Sequence, residues 1–213
     1  MTGALLFDMD GTLIDSEPMW HDEMRVFARR HRIEWTAEDA HWTTGRPMVD
    51  WAERMRERGV TMDAASVIAT VAGAVADLVR DEVPWLPGSL AMLERVAAAG
   101  IPAALITNAS AANAHAVLEA APEGALRFAV SADDVERSKP DPEPYALAIR
   151  RLGADASASI AFEDSGSGAR SATAAGARLW FLTTQLTASP VPAERTIGTL
   201  AEVDPDELFA ALG

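Results

Sequence analysis

Two pairs of acidic residues in this 213-residue chain follow short apolar runs that are typical of buried strands. The pairs are Asp8 with Asp10, and Glu163 with Asp164. Two carboxylates about 4 Å apart repel each other by roughly 4 kcal/mol at an effective dielectric constant near 20. A convergence of Asp8, Glu163 and Asp164 therefore needs a cation, and a set of oxygen ligands predicts Mg²⁺.

A hydroxyl and an ammonium group stand at comparable positions. Thr107 follows another apolar run, and Lys139 comes a few residues after a third. A carboxylate beside Mg²⁺, a lysine and a hydroxyl can perform phosphoryl transfer, in which Asp8 attacks phosphorus and the positive groups neutralise its oxygens. Asp10 lies on the same side of an extended chain as Asp8, so it can protonate the leaving oxygen and later deprotonate water.

The elements that must position these residues alternate between strands and helices. Strands are predicted at 4–7, 101–106, 128–130, 160–162 and 179–182, and helices at 89–99, 111–121, 144–152 and 168–175. This alternation predicts an α/β fold with a Rossmann-like, doubly wound parallel sheet. Ligands of such sheets bind at the carboxyl ends of the strands, where the residues described above are placed.

The segment 15–85 interrupts that alternation and is predicted to be helical throughout. Apolar residues recur in it at helical spacing, in three stripes: Trp20, Met24, Phe27 and Ala28; Met48, Trp51, Ala52 and Met55; Val67, Val71, Val75 and Leu78. We therefore predict an α/β catalytic core at 1–14 and 86–213, with an all-helical cap inserted at 15–85.

The composition excludes several classes of partner. The chain has 18 Lys and Arg against 32 Asp and Glu, and its net charge of −14 disfavours nucleic acids and anionic membranes. It has no cysteine, so thiol catalysis and thiolate metal sites are excluded. No apolar run is long enough to cross a bilayer, and the N-terminal residues do not resemble a signal peptide. We predict a cytoplasmic protein.

The candidate catalytic and metal-binding residues also match known sequence motifs, and they occur in the same order along the chain. The segment 8–12 (Asp-Met-Asp-Gly-Thr), Thr107, Lys139 with Pro140, and Glu163 with Asp164 resemble the four motifs of the haloacid dehalogenase-like (HAD) hydrolase superfamily. The resemblance covers nearly the whole chain. The helical insertion is similar to the cap of the branch that contains β-phosphoglucomutase and sugar-phosphate phosphatases.

The resemblance implies a role for each matching residue. Asp8 would be the nucleophile that forms an aspartyl-phosphate, and Asp10 the general acid and base. Thr107 would bind the phosphoryl group with help from the backbone of Asn108, and Lys139 would steady the nucleophile and the phosphate. Mg²⁺ would be held by Asp8, the carbonyl of Asp10 and Asp164, with Glu163 as direct or water-mediated support.

Two residues of the predicted cap are candidate substrate contacts. Arg46 lies in a cap loop that faces the active site in this family, so it would contact a charged group of the substrate. Trp20 stands where the mutase has a histidine, which argues against mutase activity and leaves Trp20 as a substrate-binding residue.

These observations predict a Mg²⁺-dependent phosphatase that acts on a small phosphorylated metabolite, a sugar or polyol phosphate, as a monomer. The first alternative is a β-phosphoglucomutase-like phosphotransferase, which would pass the phosphoryl group to a second hydroxyl. A receiver-type phospho-acceptor is disfavoured. In such a protein the acidic pair follows the first strand and the phosphorylated Asp follows the third strand, which is not the order found in this chain. A non-catalytic binding protein is disfavoured because every chemical position is filled.

Overall fold

The computed structural model describes residues 2–43, 46 and 48–212. The chain divides into two compact units, one formed by Met1–Asp15 with Val83–Gly213 and the other by Ser16–Glu82. These divisions lie one residue and three residues from the boundaries that we expected from the sequence. The functions of the two units as catalytic core and cap stay predictions.

The first unit contains a parallel sheet of six strands in the order β3-β2-β1-β4-β5-β6. The strands are β1 (Leu5–Phe7), β2 (Ala103–Ile106), β3 (Ala129–Val130), β4 (Ile160–Glu163), β5 (Arg178–Leu182) and β6 (Arg195–Ile197). With them lie the helices α5 (Ser89–Ala99), α6 (Ala111–Ala120), α7 (Glu143–Leu152), α8 (Gly166–Ala174) and α9 (Pro205–Ala210). The predicted α/β, Rossmann-like parallel sheet is confirmed.

The centre of the sheet determines where the functional side chains stand. Strands β1, β2 and β4 are entirely buried, as their continuous apolar sequences predict. Phe7 at the end of β1 pairs with Leu105 on one side and Phe162 on the other. Because the three strands run parallel in this register, the residues that follow them emerge at the same edge of the sheet.

The second unit is helical and has a hydrophobic core of its own. Its helices are α1 (Glu17–Arg30), α2 (Ala37–Thr43), α3 (Met48–Glu57) and α4 (Ala64–Asp81). The stripes predicted on α1 and α3 contribute the buried residues Met24, Phe27, Trp51, Ala52 and Met55 to this core. The predicted apolar stripe on α4 is wrong at its last residue, because Leu78 is exposed and its neighbour Val79 is buried instead.

The structure departs from the predicted elements in the last third of the chain. Strand β6 was not predicted, because it has three residues, none of them fully buried. Helix α8 begins at Gly166, two residues before the predicted start at Gly168. It begins there because Ser165 caps it by accepting a hydrogen bond from the Gly168 N–H.

Among the described residues, no helix combines the length and hydropathy that a bilayer span requires.

Candidate active site

Lys139 lies at the centre of the polar cluster at the carboxyl ends of the strands. Its ammonium Nζ donates hydrogen bonds to Asp8 Oδ1 at 2.6 Å, to Glu163 Oε1 at 2.6 Å and to the carbonyl of Ile106 at 2.8 Å. Lys139 is only 6 % exposed, and Asp8 7 %. One buried cation therefore joins the carboxyl ends of β1, β2 and β4.

The backbone around Lys139 is fixed by side chains from two directions. Asn108 accepts a hydrogen bond from the Lys139 N–H at 3.0 Å and donates one to its carbonyl at 3.1 Å. The carboxylate of Glu143, at the start of α7, accepts from the backbone N–H groups of Glu136 and Arg137. The loop that carries Lys139 is thus anchored to the end of β2 and to the helix that follows it.

Glu163, the last residue of β4, is fully buried and surrounded by donors. Its Oε1 accepts from Tyr145 as well as from Lys139, both at 2.6 Å, and its Oε2 accepts from Ser165 at 3.1 Å. A Cβ atom on Gly168 would lie 1.9 Å from this carboxyl group, so only glycine fits there. The start of α8 therefore packs directly on Glu163.

Asp164 has one oxygen that is bonded and one that is not. Its Oδ2 accepts from the hydroxyl of Thr184 at 3.1 Å, and Thr184 also donates to the carbonyl of Gly11. Its Oδ1 is buried and has no hydrogen-bond partner within the described part of the chain. An unpartnered buried carboxylate oxygen is costly unless a cation or another donor meets it.

The electrostatics of the site show an excess of negative charge. Burial raises the pKa of Asp8 well above its ordinary value, the charges of Glu163 and Asp164 add to this rise, and Lys139 opposes it. Burial and the charge of Glu163 also raise the pKa of Asp164 to about 8, against the hydrogen bond from Thr184. Burial alone would lower the pKa of Lys139, but the charges of Asp8 and Glu163 raise it overall, so Lys139 stays protonated.

The residues present fit a divalent cation. Carboxylate oxygens of Asp8, Glu163 and Asp164 lie within 4.8 Å of one another, and all three residues are buried. Three carboxylates and one ammonium leave two unbalanced negative charges when all are ionised. The unpartnered Oδ1 of Asp164 supplies a free ligand atom, and the all-oxygen donor set suits Mg²⁺.

The structure brings together Asp8, Lys139, Glu163 and Asp164, four of the residues selected from the sequence. Thr107 is buried at the end of β2, where its Oγ1 accepts from the Ala109 N–H at 2.9 Å. Asp10 forms a backbone bridge with Ile14, and its charge contributes to the raised pKa of Asp164. The metal-binding carbonyl of Asp10 and the catalytic functions of all these residues stay predictions.

The two predicted substrate contacts of the helical unit are described within that unit alone. Trp20 is half-buried against its core, with its ring 6.5 Å from that of Trp51. The Arg46 guanidinium lies 4.3 Å from the ring centre of Trp42. Residues 44, 45 and 47 of the loop that carries Arg46 lie outside the described residues. Substrate binding by Trp20 and Arg46 stays a prediction.

Sequence reasoning missed three residues of this cluster, namely Tyr145, Ser165 and Thr184. Thr184 follows β5, so the strand-end rule that selected the other residues could have found it. Ser165 lies next to the acidic pair and caps α8. Tyr145 is the one tyrosine of the chain, but it lies inside a helix, and nothing in its spacing indicates that its hydroxyl reaches Glu163.

A parallel sheet with buried carboxylates and a lysine at its carboxyl edge defines an α/β enzyme of phosphoryl-transfer type. The family model of haloacid dehalogenase-like hydrolases matches residues 2–176. The chain belongs to this family. The predictions of the family and of a hydrolase are therefore confirmed.

Two of the similar proteins are named as phosphatases. Validoxylamine A 7'-phosphate phosphatase of Streptomyces hygroscopicus subsp. limoneus is 31% identical over 83% of this chain and 83% of its own length. Hexitol phosphatase A of Escherichia coli is 31% identical over 81% of this chain and 79% of its own length.

Two solved structures are similar in fold over nearly the full length of this chain. CbbY from Rhodobacter sphaeroides in complex with phosphate has a TM-score of 0.80 at 25% identity, covering 95% of this chain and 96% of its own. A putative β-phosphoglucomutase from Thermotoga maritima has a TM-score of 0.76 at 26% identity, covering 99% and 98%.

Proposed function

We propose that the protein is a Mg²⁺-dependent phosphatase that hydrolyses a small sugar or polyol phosphate through an aspartyl-phosphate. The observation that carries this proposal is the buried cluster in which Lys139 bonds Asp8 and Glu163 while Asp164 keeps an unpartnered oxygen. Such a site offers a nucleophilic carboxylate, a fixed cation and a place for a second cation.

The reaction needs two displacements at phosphorus. An oxygen of the Asp8 carboxylate attacks phosphorus, the ester P–O bond breaks, and the leaving alkoxide takes a proton from Asp10. Asp10, now ionised, removes a proton from water, which attacks the phosphorus of the aspartyl-phosphate. The P–O bond to Asp8 breaks, phosphate leaves, and both carboxyl groups return to their starting forms.

The remaining residues bind and neutralise the phosphoryl group. Lys139 donates to a phosphoryl oxygen, and the hydroxyl of Thr107 can donate its proton to another. Asp8, Asp164 and the carbonyl of Asp10 would hold Mg²⁺, with Glu163 in support. When bound, the ion neutralises the charge that develops on the phosphoryl oxygens and lets Asp8 stay ionised.

The substrate class is proposed from the relatives. Two phosphatases that are 31% identical to this chain are named for validoxylamine A 7'-phosphate and for hexitols. The first name gives a phosphorylated small molecule, and the second a class of polyols, as what these relatives act on. In the helical unit, Arg46 and Trp20 are our candidates for contacts to the part of the substrate beyond the phosphate.

A phosphate-release assay over a panel of sugar, polyol and other phosphorylated metabolites tests this proposal, with Mg²⁺ and with EDTA. We expect Mg²⁺-dependent release that is strongest for sugar or polyol phosphates. Isomerised sugar phosphates without phosphate release would instead establish a phosphotransferase. If neither released phosphate nor isomerised sugar phosphate is detected, the proposed enzymatic activity is contradicted.

Two variants separate the steps. Asp8→Asn removes the nucleophile and should abolish turnover while the protein still folds, because the shape of the side chain is unchanged. Asp10→Asn should still allow slow phosphorylation of Asp8 but stall hydrolysis, so that phosphoprotein accumulates in intact-mass spectra. Turnover of Asp10→Asn at the wild-type rate would remove Asp10 from the mechanism.

A further inference from the structure

The ammonium group of Lys139 is fully committed to protein acceptors. A lysine has three N–H donors, and those of Lys139 are taken by Asp8, Glu163 and the Ile106 carbonyl at 2.6, 2.6 and 2.8 Å. The proposed function requires Lys139 to donate to a phosphoryl oxygen. One of these three bonds must therefore be given up when phosphate binds.

Glu163 is the acceptor that loses least by this exchange. Its Oε1 also accepts the hydroxyl of Tyr145 at 2.6 Å, and its Oε2 accepts the hydroxyl of Ser165 at 3.1 Å. In the described part of the chain, the side-chain donor that bonds the Asp8 carboxylate is Lys139 itself, so Asp8 would lose that donor. The Ile106 carbonyl is a buried backbone group, for which a lost bond is costly.

We propose that Tyr145 is a positioning residue that holds Glu163 so that Lys139 can turn from Glu163 to the phosphate. This inference rests on the proposed function and goes beyond it, because Tyr145 itself touches neither substrate nor metal. Tyr145 lies on α7 and is fully buried, and its hydroxyl donates to Oε1 of Glu163, the oxygen that Lys139 would release. With Tyr145 in place, Glu163 keeps a donor on each oxygen throughout the exchange.

The variant Tyr145→Phe tests the proposal because it keeps the ring and removes only the hydroxyl. Affinities for inorganic phosphate in saturating Mg²⁺, and for Mg²⁺ alone, are measured by calorimetry on the full chain. We expect phosphate to bind about tenfold more weakly, because without the Tyr145 hydroxyl Oε1 of Glu163 has no donor left once Lys139 turns to the phosphate. The affinity for Mg²⁺ alone should change by less than about twofold, because Tyr145 donates to the oxygen that faces Lys139.

Ser159→Ala is the matched control. Ser159 is a buried hydroxyl just before β4, donating to the Asp155 carbonyl at 2.6 Å and accepting from the Ala4 N–H at 3.1 Å. It thus lies at the opposite end of the strand that ends in Glu163. Its removal should lower thermal stability as Tyr145→Phe does and leave the phosphate affinity unchanged.

A second measurement uses the wild type and does not depend on the variant folding. Tyr145 is the only tyrosine of the chain, so protein labelled with ¹³C at tyrosine Cζ gives one signal. In saturating Mg²⁺, added inorganic phosphate should shift this signal with the affinity found by calorimetry, because the phenol becomes the remaining donor to Oε1.

The outcomes distinguish a failure of the positioning role of Tyr145 from a failure of the proposed phosphatase function. Wild-type protein that binds phosphate without a shift of the signal, or a Tyr145→Phe protein with wild-type phosphate affinity, overturns the positioning role and leaves the phosphatase intact. An equal loss of affinity for Mg²⁺ alone also overturns it, since Tyr145 would then serve the carboxylates in general. Wild-type protein that neither binds nor releases phosphate overturns both.

Discussion

The backbone of Gly11 lies against the carboxylate of Asp164. A Cβ atom on Gly11 would lie 1.9 Å from Oδ2 of Asp164, far closer than any van der Waals contact allows. Gly11 also has a φ of +81°, a backbone conformation that side chains disfavour. The sharp exit of the chain after Asp10 and the placement of Asp164 therefore depend on the same missing side chain.

Gly11→Ala should displace Asp164 and weaken Mg²⁺ activation by at least tenfold, because the carboxylate must move to make room. Gly100→Ala is the matched control, since Gly100 also has a positive φ, +65°, but a Cβ there would meet nothing within 4 Å. Both changes carry the left-handed backbone cost of about 1–2 kcal/mol. Equal Mg²⁺ activation in the two variants would contradict a role of Gly11 in placing Asp164.

The stability of the metal-free protein should fall as pH rises. The pKa of Asp164 is raised from 3.8 to about 8 in the folded chain, so the folded state binds more protons than the unfolded state between these values. The free energy of unfolding therefore decreases through this window, by about 1 kcal/mol per pH unit, or about 3 °C in melting temperature. Thermal melts in EDTA between pH 5.5 and 8 measure this effect.

Mg²⁺ and Asp164→Asn serve as controls for that slope. At pH 8, added Mg²⁺ should restore the melting temperature, since it stabilises the ionised carboxylates. Asp164→Asn has no charge to lose or gain, so its melting temperature in EDTA should depend less on pH. A wild-type slope in this variant would assign the effect to other groups.

Asn108 should act through the backbone of Lys139. Asn108→Ala removes both hydrogen bonds to the Lys139 peptide, and we expect kcat/KM to fall by about tenfold, equivalent to about 1.4 kcal/mol. Ser110→Ala removes the cap of α6, where Ser110 accepts from the Asn113 N–H, without touching Lys139. Steady-state kinetics with the best substrate of the panel should show the loss in Asn108→Ala and not in Ser110→Ala.

The helical unit should depend on Asp39. This carboxylate is fully buried, and its Oδ1 lies 2.7 Å from Arg54 and 2.5 Å from Arg58. Burial alone would raise the pKa of Asp39, but hydrogen bonds from Thr36 and Arg54 lower it. Asp39→Ala leaves two arginines without their shared partner and should cost about 2–3 kcal/mol in free energy of unfolding.

Chemical denaturation followed by tryptophan fluorescence measures this loss. Asp22→Ala is the control in the same unit, because its ion pair with Arg25 is more than half exposed and should contribute less than about 1 kcal/mol. A similar loss in the two variants would show that burial of Asp39 adds nothing to its ion pairs.

The positions that sequence reasoning located are those fixed by the parallel sheet. Asp8, Thr107 and Glu163 could be predicted because they stand at the ends of continuous apolar runs, and a parallel register brings such ends together. Tyr145 could not, because its contact with Glu163 depends on how α7 packs on the sheet, which helical periodicity does not specify. Leu78 and Val79 illustrate the same limit, since both are apolar neighbours and only packing decides which is buried.

The central strand of the sheet is also the first to be made. Strand β1 lies between β2 and β4, whose first residues come 98 and 155 positions after Leu5. At synthesis rates of about 5–20 residues per second, β1 leaves the ribosome roughly 8 to 30 seconds before both neighbours exist. The 67 residues Ser16–Glu82, which have their own hydrophobic core, emerge in that interval. A nascent chain thus carries an unpaired apolar strand throughout the synthesis of the helical unit.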